Sequence, residues 1–279
     1  MSGFVSRHVV RDVGLPEYRE KIMALIEKDL LNDDNVLAFF YGGSIANETM
    51  DQFSDIDLRV VVRSEKIEEY IANKNNRPSE WGNVLYIEDV NPYSIYTVIH
   101  YDSFIKVDTF YYKLEDIQPS VWLKNIKIRK DNKERLAEIL NKSMELSYEP
   151  SFDEFELWRS KFFAHLHEAY RRAMREEYYY AINCIDKLRL SIAGAWYMDA
   201  GHQPNALGDW AKYEGGRSEL DSWQQSLLAS WECGRSSVEI INVMKSIVHE
   251  FRNVHSSLCE RLEVDEKPEW VYKIVNMVL

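Results

Sequence analysis

Three aspartates and a glycine–serine pair are the residues in this chain best suited to chemistry. Gly43 and Ser44 close a short apolar run, Asp55-Ile56-Asp57 follows after ten intervening residues, and Asp108 lies some fifty residues further on in the apolar segment Phe104 to Tyr111. A strand ending in glycines lets backbone N–H groups approach a phosphate, and Ser44 at a following helix start adds a hydroxyl and the positive end of a helix dipole. Two carboxylates at i and i+2 on one strand point to the same face. A third from a neighbouring strand, Asp108, completes an oxygen-rich site of the kind that Mg²⁺ prefers. One or two metal ions there bridge a triphosphate, neutralise the attacked phosphorus and lower the pKa of an attacking hydroxyl. Each part also has a plainer use: paired aspartates decorate surface turns, Gly-Gly-Ser occurs in many turns, and a lone aspartate can be solvated on an edge strand. Their order and common placement at strand ends give the combination its specificity.

The elements that must position these residues follow from periodicity. Leu15-Pro16-Glu17 puts a proline in a helix first turn, and Ile22, Leu25, Ile26 and Leu30 continue at helical spacing to about Asn32. Val36 to Tyr41 reads as a buried strand closed by Gly42-Gly43, with Ser44 capping a short helix, and Asp55 to Val62 as a second strand. Ser64 to Asn73 is expected to be a short amphipathic helix. Asn83 to Asp89, Ser94 to Tyr101 and Phe104 to Tyr112 are expected to form a meander. Ile126 to Arg129 is a further candidate strand and Asn132 to Met144 a helix. The aperiodic, proline-containing Ser147 to Asp153 is the expected linker. Beyond it, 155–198, 220–232 and 237–262 carry helical patterns, interrupted at 201–216 by glycines and Pro204. The pattern divides the chain into an α/β half ending near residue 146 and an all-helical half beginning near residue 152.

Composition narrows the class of partner. The chain has 279 residues, 46% hydrophobic and 29% charged, which is an ordinary globular balance. With 34 Lys+Arg against 46 Asp+Glu the net charge is −12, which opposes duplex nucleic acid and suits cationic small molecules. Three widely spaced cysteines give neither a disulfide framework nor a CxxC metal site. Met1 to Val10 lacks a signal-peptide core and no apolar run reaches membrane length, so the expected location is the cytoplasm.

Gly43-Ser44, Asp55, Asp57 and Asp108 match the GS(x10)DxD…D pattern of the nucleotidyltransferase superfamily, whose fold resembles the polymerase-beta palm. The whole-chain layout resembles aminoglycoside adenylyltransferases of the streptomycin 6-adenylyltransferase type. Leu157 to Trp196, with Arg175-Glu176-Glu177, Ala181-Ile182 and Leu188 to Trp196, looks like the first helices of their C-terminal bundle. The resemblance implies an α+β fold, a polymerase-beta-like domain with a mixed sheet over 1–146 followed by a helical, acceptor-binding bundle over 152–279, and Mg²⁺-dependent transfer of AMP from ATP to an antibiotic hydroxyl with release of pyrophosphate. It implies Asp55, Asp57 and Asp108 as metal ligands and Gly43 and Ser44 as triphosphate contacts. Many relatives carry Arg directly after the Ser, whereas Ile45 stands here, so a phosphate contact must come from elsewhere. Arg59, Lys106 and the basic residues of the second half are candidates.

The first long helix of the second half places Glu168, Arg172, Arg175 and Glu176 on one face. In resembling kanamycin-modifying enzymes a Glu followed four residues later by a cation supplies base and phosphate contact, and Glu168 and Arg172 match that spacing. A solvated face of ion pairs is the alternative, and Asp108 is the competing base. His165 and His167 point about 200° apart on a helix and do not share a metal. Arg159 and His165 have a spacing reminiscent of the RNase motif in helical HEPN domains. Tyr178, Tyr179, Tyr180 and Trp196 are either stacking platforms or packing. Glu88, Asp89 and Asp102 could attract a cationic acceptor. Other acceptors consistent with the same fold are a lincosamide or a protein, and an antitoxin-like partner role is a further alternative. A monomer and a homodimer are both open.

Overall fold

The computed structural model describes residues 6–88, 91–132 and 134–279. The chain divides into two compact units, Met1–Leu146 and Ser147–Leu279. In the first, helix α1 (Val9–Leu31) leads into β1 (Val36–Tyr41), the single turn α2 (Gly43–Ala46), β2 (Ile56–Val62) and α3 (Ile67–Asn73). Strands β3 (Val84–Glu88), β4 (Tyr96–Tyr101) and β5 (Lys106–Lys113) then form an antiparallel meander, and β6 (Lys127–Asp131) and α4 (Arg135–Met144) complete the unit. The sheet order is β3-β4-β5-β2-β1-β6. Strands β2 and β5 run parallel while the other pairs are antiparallel, so the sheet is mixed and the class α+β.

The period-two pattern of β2 explains what each face does. Ile56, Leu58, Val60 and Val62 join Leu15, Ile22, Ile26 and Leu30 of α1 and Ile67 and Tyr70 of α3 in the main core. Asp57, Arg59 and Val61 point to the other face. There, Val61 joins Ala38, Phe40 and Leu136 in a small second core, with Ile139 of α4 packed against it. That face is thus apolar at the Val61 end of β2 and polar at the Asp57 end.

The second unit is helical: α5 (Phe152–Met174), α6 (Tyr178–Asp199), α7 (Ser222–Ser230), α8 (Ser237–Arg261) and α9 (Pro268–Val275). Ser151 starts α5 with a capping box, its Oγ accepting from the Glu154 N–H while Glu154 accepts from the Ser151 N–H. Phe155, Phe162, Leu166 and Ala169 recur along one stripe of α5 and are fully buried. Phe162 stacks on Phe251 of α8 with ring centroids 4.0 Å apart.

Several elements differ from the expectations of the sequence. Helix α1 begins at Val9, not near Leu15, and carries Pro16 in its interior. Ser44 does not cap α2: Gly42 is the N-cap residue, no side chain caps the turn, and Ser44 Oγ is buried inside it. The pattern over 155–198 is two helices, broken where Glu176 takes a left-handed φ of 59° and the Glu177 N–H donates to the Arg172 carbonyl at 2.9 Å. A Glu in that position hides the break, since glycine is the usual signal. Helix α9 escaped the periodicity, although Lys267-Pro268-Glu269 carries a proline-at-N1 start. No described helix is long and apolar enough to cross a membrane. Residues 1–5 of the N-terminal stretch lie outside the described residues.

The helical core holds one titratable cluster. His255 of α8 is buried against the aromatic rings of Phe155, Trp158 and Phe251, with Arg159 NH1 3.5 Å from its Nε2 and Cys259 Sγ 3.7 Å away. Burial, reinforced by the Arg159 charge, pushes the imidazole down to about 4, while Glu266 and Glu156 pull weakly the other way. The folded state thus keeps His255 neutral where the unfolded chain, near its ordinary value of 6.5, takes up a proton. Stability supplied by the neutral ring is complete above pH 6.5 and is lost as pH falls through the window toward 4. Urea unfolding of the wild type should lose about 2 kcal/mol more than His255→Gln between pH 7 and 4.5. Parallel pH dependences for the two proteins would contradict this.

Candidate active site

The parallel register of β2 and β5 makes Asp57 and Asp108 Cα partners on adjacent strands. Asp55 lies one residue before β2. Lys106, two residues before Asp108 on the same face, places its ammonium between Asp55 Oδ2 at 2.8 Å and Asp108 Oδ2 at 3.1 Å. Arg59 NH2 is 3.9 Å from Asp57 Oδ1, and its guanidinium lies 4.1 Å over the Phe110 ring. Three carboxylates and two cations therefore share one end of one sheet face.

The charges strain against their surroundings. Burial, followed by the neighbouring Asp55 charge, raises the Asp57 carboxyl above its usual range. Asp108 is also raised, chiefly by burial, with Lys106 opposing the effect. Lys106 is raised by hydrogen bonds and attraction to Asp55 and Asp108, against the effect of burial. Asp108 Oδ1 and Ser44 Oγ are buried without a hydrogen-bond partner among the described residues. A buried, unpartnered carboxylate oxygen is costly to leave alone.

The β1–α2 turn closes over this cluster. The Gly42 N–H donates to the Asp57 carbonyl at 2.9 Å. Gly43 has φ of +56°, and a Cβ added there would fall 2.0 Å from Asp57 Oδ2. Both facts demand glycine. The N–H groups of Gly43, Ser44 and Ile45 open the turn and have no intrahelical acceptors. Asn47 fastens the far side, its backbone N–H and Nδ2 both donating to the Gly43 carbonyl. Ile45 is buried in the main core, which accounts for an apolar residue after Ser44.

Sequence reasoning missed Arg19. It occupies the buried stripe of α1 between Leu15 and Ile22, and its NH1 donates to the Asp51 and Ser54 carbonyls at 3.1 and 2.9 Å. Arg19 thereby pins the loop that delivers Asp55. An arginine at an apolar helix position is the signal that could have found it.

A hard divalent cation needs several oxygen donors, and Asp55, Asp57 and Asp108 supply only oxygens, one of them unpartnered. These residues fit Mg²⁺ chemically. Among the described residues no three Asp, Glu, His or Cys side chains are gathered at metal-binding spacing. In this cluster the Lys106 ammonium stands where Asp55 and Asp108 converge.

The other candidate residues are placed as follows. Glu168 and Arg172 belong to the second unit and pair with each other, Arg172 Nε donating to Glu168 Oε1 at 2.6 Å. Arg171 also pairs with Glu168, Arg172 reaches Glu177, and Tyr180 lies 4.2 Å beneath the Arg172 guanidinium. Hydrogen bonds from Arg172 hold the Glu168 carboxyl below its usual range. A groove of about 530 Å³ between α5 and α9 is lined by Phe163, His165, His167, Glu168, Arg171 and Ile274. His165 does not meet Arg159, which is buried beside His255 and Glu156, so the RNase-like pairing does not form. His167 instead lies 2.9 Å from the Ile274 carbonyl. Trp196 is core, its Nε1 donating to Glu250, and Tyr179 packs under Arg235. Glu88 pairs with His100 at 2.6 Å and Asp102 accepts from Asn83; Asp89 lies outside the described residues.

Comparison with known proteins gives the class and then the family. The profile of the streptomycin adenylyltransferase family matches residues 17–276. The chain belongs to that family and is a nucleotidyltransferase. An aminoglycoside 6-adenyltransferase from Bacillus subtilis is similar at 14% identity and a TM-score of 0.46, over 93% of this chain and 97% of that one. A nucleotidyltransferase-like protein from Exiguobacterium sibiricum is similar at 14% identity and a TM-score of 0.44, over 88% and 78% of the two chains. No curated protein matches the sequence.

Gly43→Ala tests the turn. It should lower stability by about 1–3 kcal/mol through the left-handed backbone, and displacement of Asp57 should cost about 100-fold in nucleotidyl transfer. Thermal melting and turnover measure the two effects, and near-normal turnover would contradict the contact with Asp57.

Proposed function

We propose that this chain transfers AMP from ATP to a hydroxyl of a small cationic acceptor of the aminoglycoside kind, with Mg²⁺ as cofactor and pyrophosphate as the second product. The observation that carries the reading is the Asp57–Asp108 pairing beneath the Gly42–Ser44 turn, in a chain of the streptomycin adenylyltransferase family. A bound Mg²⁺ held by Asp55, Asp57 and Asp108 would neutralise charge on the attacked phosphate and acidify the acceptor hydroxyl.

The chain's own groups do the rest. The turn N–H groups of Gly43, Ser44 and Ile45 and the Ser44 hydroxyl bind phosphate oxygens. With α2 only four residues long, these direct donors matter more than a helix dipole. Arg59 and Lys106 supply the positive charge that many relatives draw from an Arg after the Ser. Asp108 is the favoured base, because its Oδ1 has no hydrogen-bond partner among the described residues while Glu168 is occupied by two arginines. The acceptor oxygen then bonds to the α-phosphorus as the bond from that phosphorus to the bridging oxygen breaks. Pyrophosphate leaves with the electron pair, and the work is mostly positioning and charge neutralisation.

On this reading residues 1–146 form the nucleotidyltransferase domain and 152–279 the acceptor-binding domain. Glu168 and Arg172 are then the second domain's own residues for an acceptor, and the −12 net charge favours an ammonium-bearing one.

A pyrophosphate-release screen tests the reading, with ATP, GTP, CTP and UTP against streptomycin, kanamycin and lincomycin. Release should require ATP and an aminoglycoside, and Asp57→Asn should abolish it while the variant melts as a folded protein. Release with lincomycin alone would reassign the acceptor. No release with any combination would overturn the small-acceptor reading.

A further inference from the structure

Lys106 stands inside the carboxylate cluster. Its ammonium donates to Asp108 at 3.1 Å and pairs with Asp55 at 2.8 Å, and it makes no other ion pair or hydrogen bond among the described residues. Its side chain is 35% exposed, on a flexible four-carbon stem. Arg59, the other cation of the cluster, is held differently. It stacks on Phe110, donates to the Leu58 carbonyl at 3.1 Å and stands 3.9 Å from Asp57, so its guanidinium is anchored by groups outside the carboxylates.

An ammonium and a divalent cation cannot both occupy the space between Asp55 and Asp108. They need the same oxygen lone pairs, and they repel each other at contact distance. Without either cation, three carboxylates at one strand end would face one another with only Arg59 to offset them. We propose that Lys106 is the resident counter-ion of this cluster, neutralising Asp55 and Asp108 until a divalent cation enters and displaces it. The inference rests on the reading of Asp55, Asp57 and Asp108 as the metal set. Because the cation binds only the fraction of molecules in which Lys106 has swung away, the apparent metal affinity is weaker than the site's intrinsic affinity. Lys106 then tunes how much free metal the protein needs, and its release leaves a mobile cation at the site of a polyanionic nucleotide.

Mn²⁺ titration of the full chain without nucleotide, followed by electron paramagnetic resonance of the free ion, tests this. Lys106→Met, which keeps the stem, should bind Mn²⁺ about tenfold more tightly than the wild type, and Arg59→Gln should change affinity by less than about threefold. Asp57→Asn should bind more weakly. Thermal melting supplies a second readout: metal-free Lys106→Met should melt below the wild type, and Mn²⁺ should raise its melting temperature by the larger increment. Lys106→Gln provides the same comparison if the methionine variant does not fold. Wild-type affinity in both Lys106 variants, with weakening in Asp57→Asn, would overturn the role of Lys106 and leave the metal set standing. Equal affinity in the wild type, Lys106→Met and Asp57→Asn would overturn the metal set itself.

Discussion

Parallel pairing of β2 with β5 brings two aspartates of like charge side by side at a strand end, where burial disfavours both of their charged forms. Much of the first unit can be understood as what makes that pairing tolerable. Lys106 and Arg59 bring compensating charge. Gly43 gives up a side chain so that the turn can lie against Asp57, and Arg19, buried on α1, ties down the loop that leads into Asp55. Compensation is incomplete, since Asp108 Oδ1 and Ser44 Oγ remain unpartnered. Polar groups left unsatisfied in this way mark a site built for a ligand more readily than a site built for stability.

One strand serves both purposes. Along β2, alternate residues feed the main core through Ile56, Leu58, Val60 and Val62, while Asp57, Arg59 and Val61 pass from the charged cluster to the second small core within five residues. The Asp57 carboxylate is thus mounted on a strand fixed by packing on both faces. Such support holds a carboxylate to the tolerance that positioning chemistry demands.

The parts of this design that were legible in the sequence are those with short-range signatures. Alternation in Asp55 to Val62 showed a shared face for Asp55 and Asp57, and the apolar run before Gly42-Gly43 marked β1 and its turn. The meander followed from the β-rich segments, whereas the mixed α+β class came with the resemblance carried by Gly43-Ser44, Asp55, Asp57 and Asp108. What escaped depends on contacts between distant residues. Nothing local says that Lys106 points at Asp55 or that Arg19 reaches across 32 residues to the Asp51 carbonyl. The α5–α6 break escaped because a left-handed Glu176 looks like any helix-forming residue. Ser44 reads as a cap by type, yet Gly42 takes that place because the Gly43 backbone must fold tightly over Asp57.

Everything proposed for this cluster depends on Asp55, Asp57 and Asp108 acting together as the metal site that serves the nucleotide. Crystals grown with Mn²⁺ and a non-hydrolysable ATP analogue test it most directly, through anomalous diffraction at the manganese edge. An anomalous peak coordinated by these three carboxylates is expected, with Lys106 withdrawn from between Asp55 and Asp108 and the triphosphate against the Gly43–Ser44 turn. Manganese bound to the nucleotide at another place, with the Lys106 bridge intact, would contradict it.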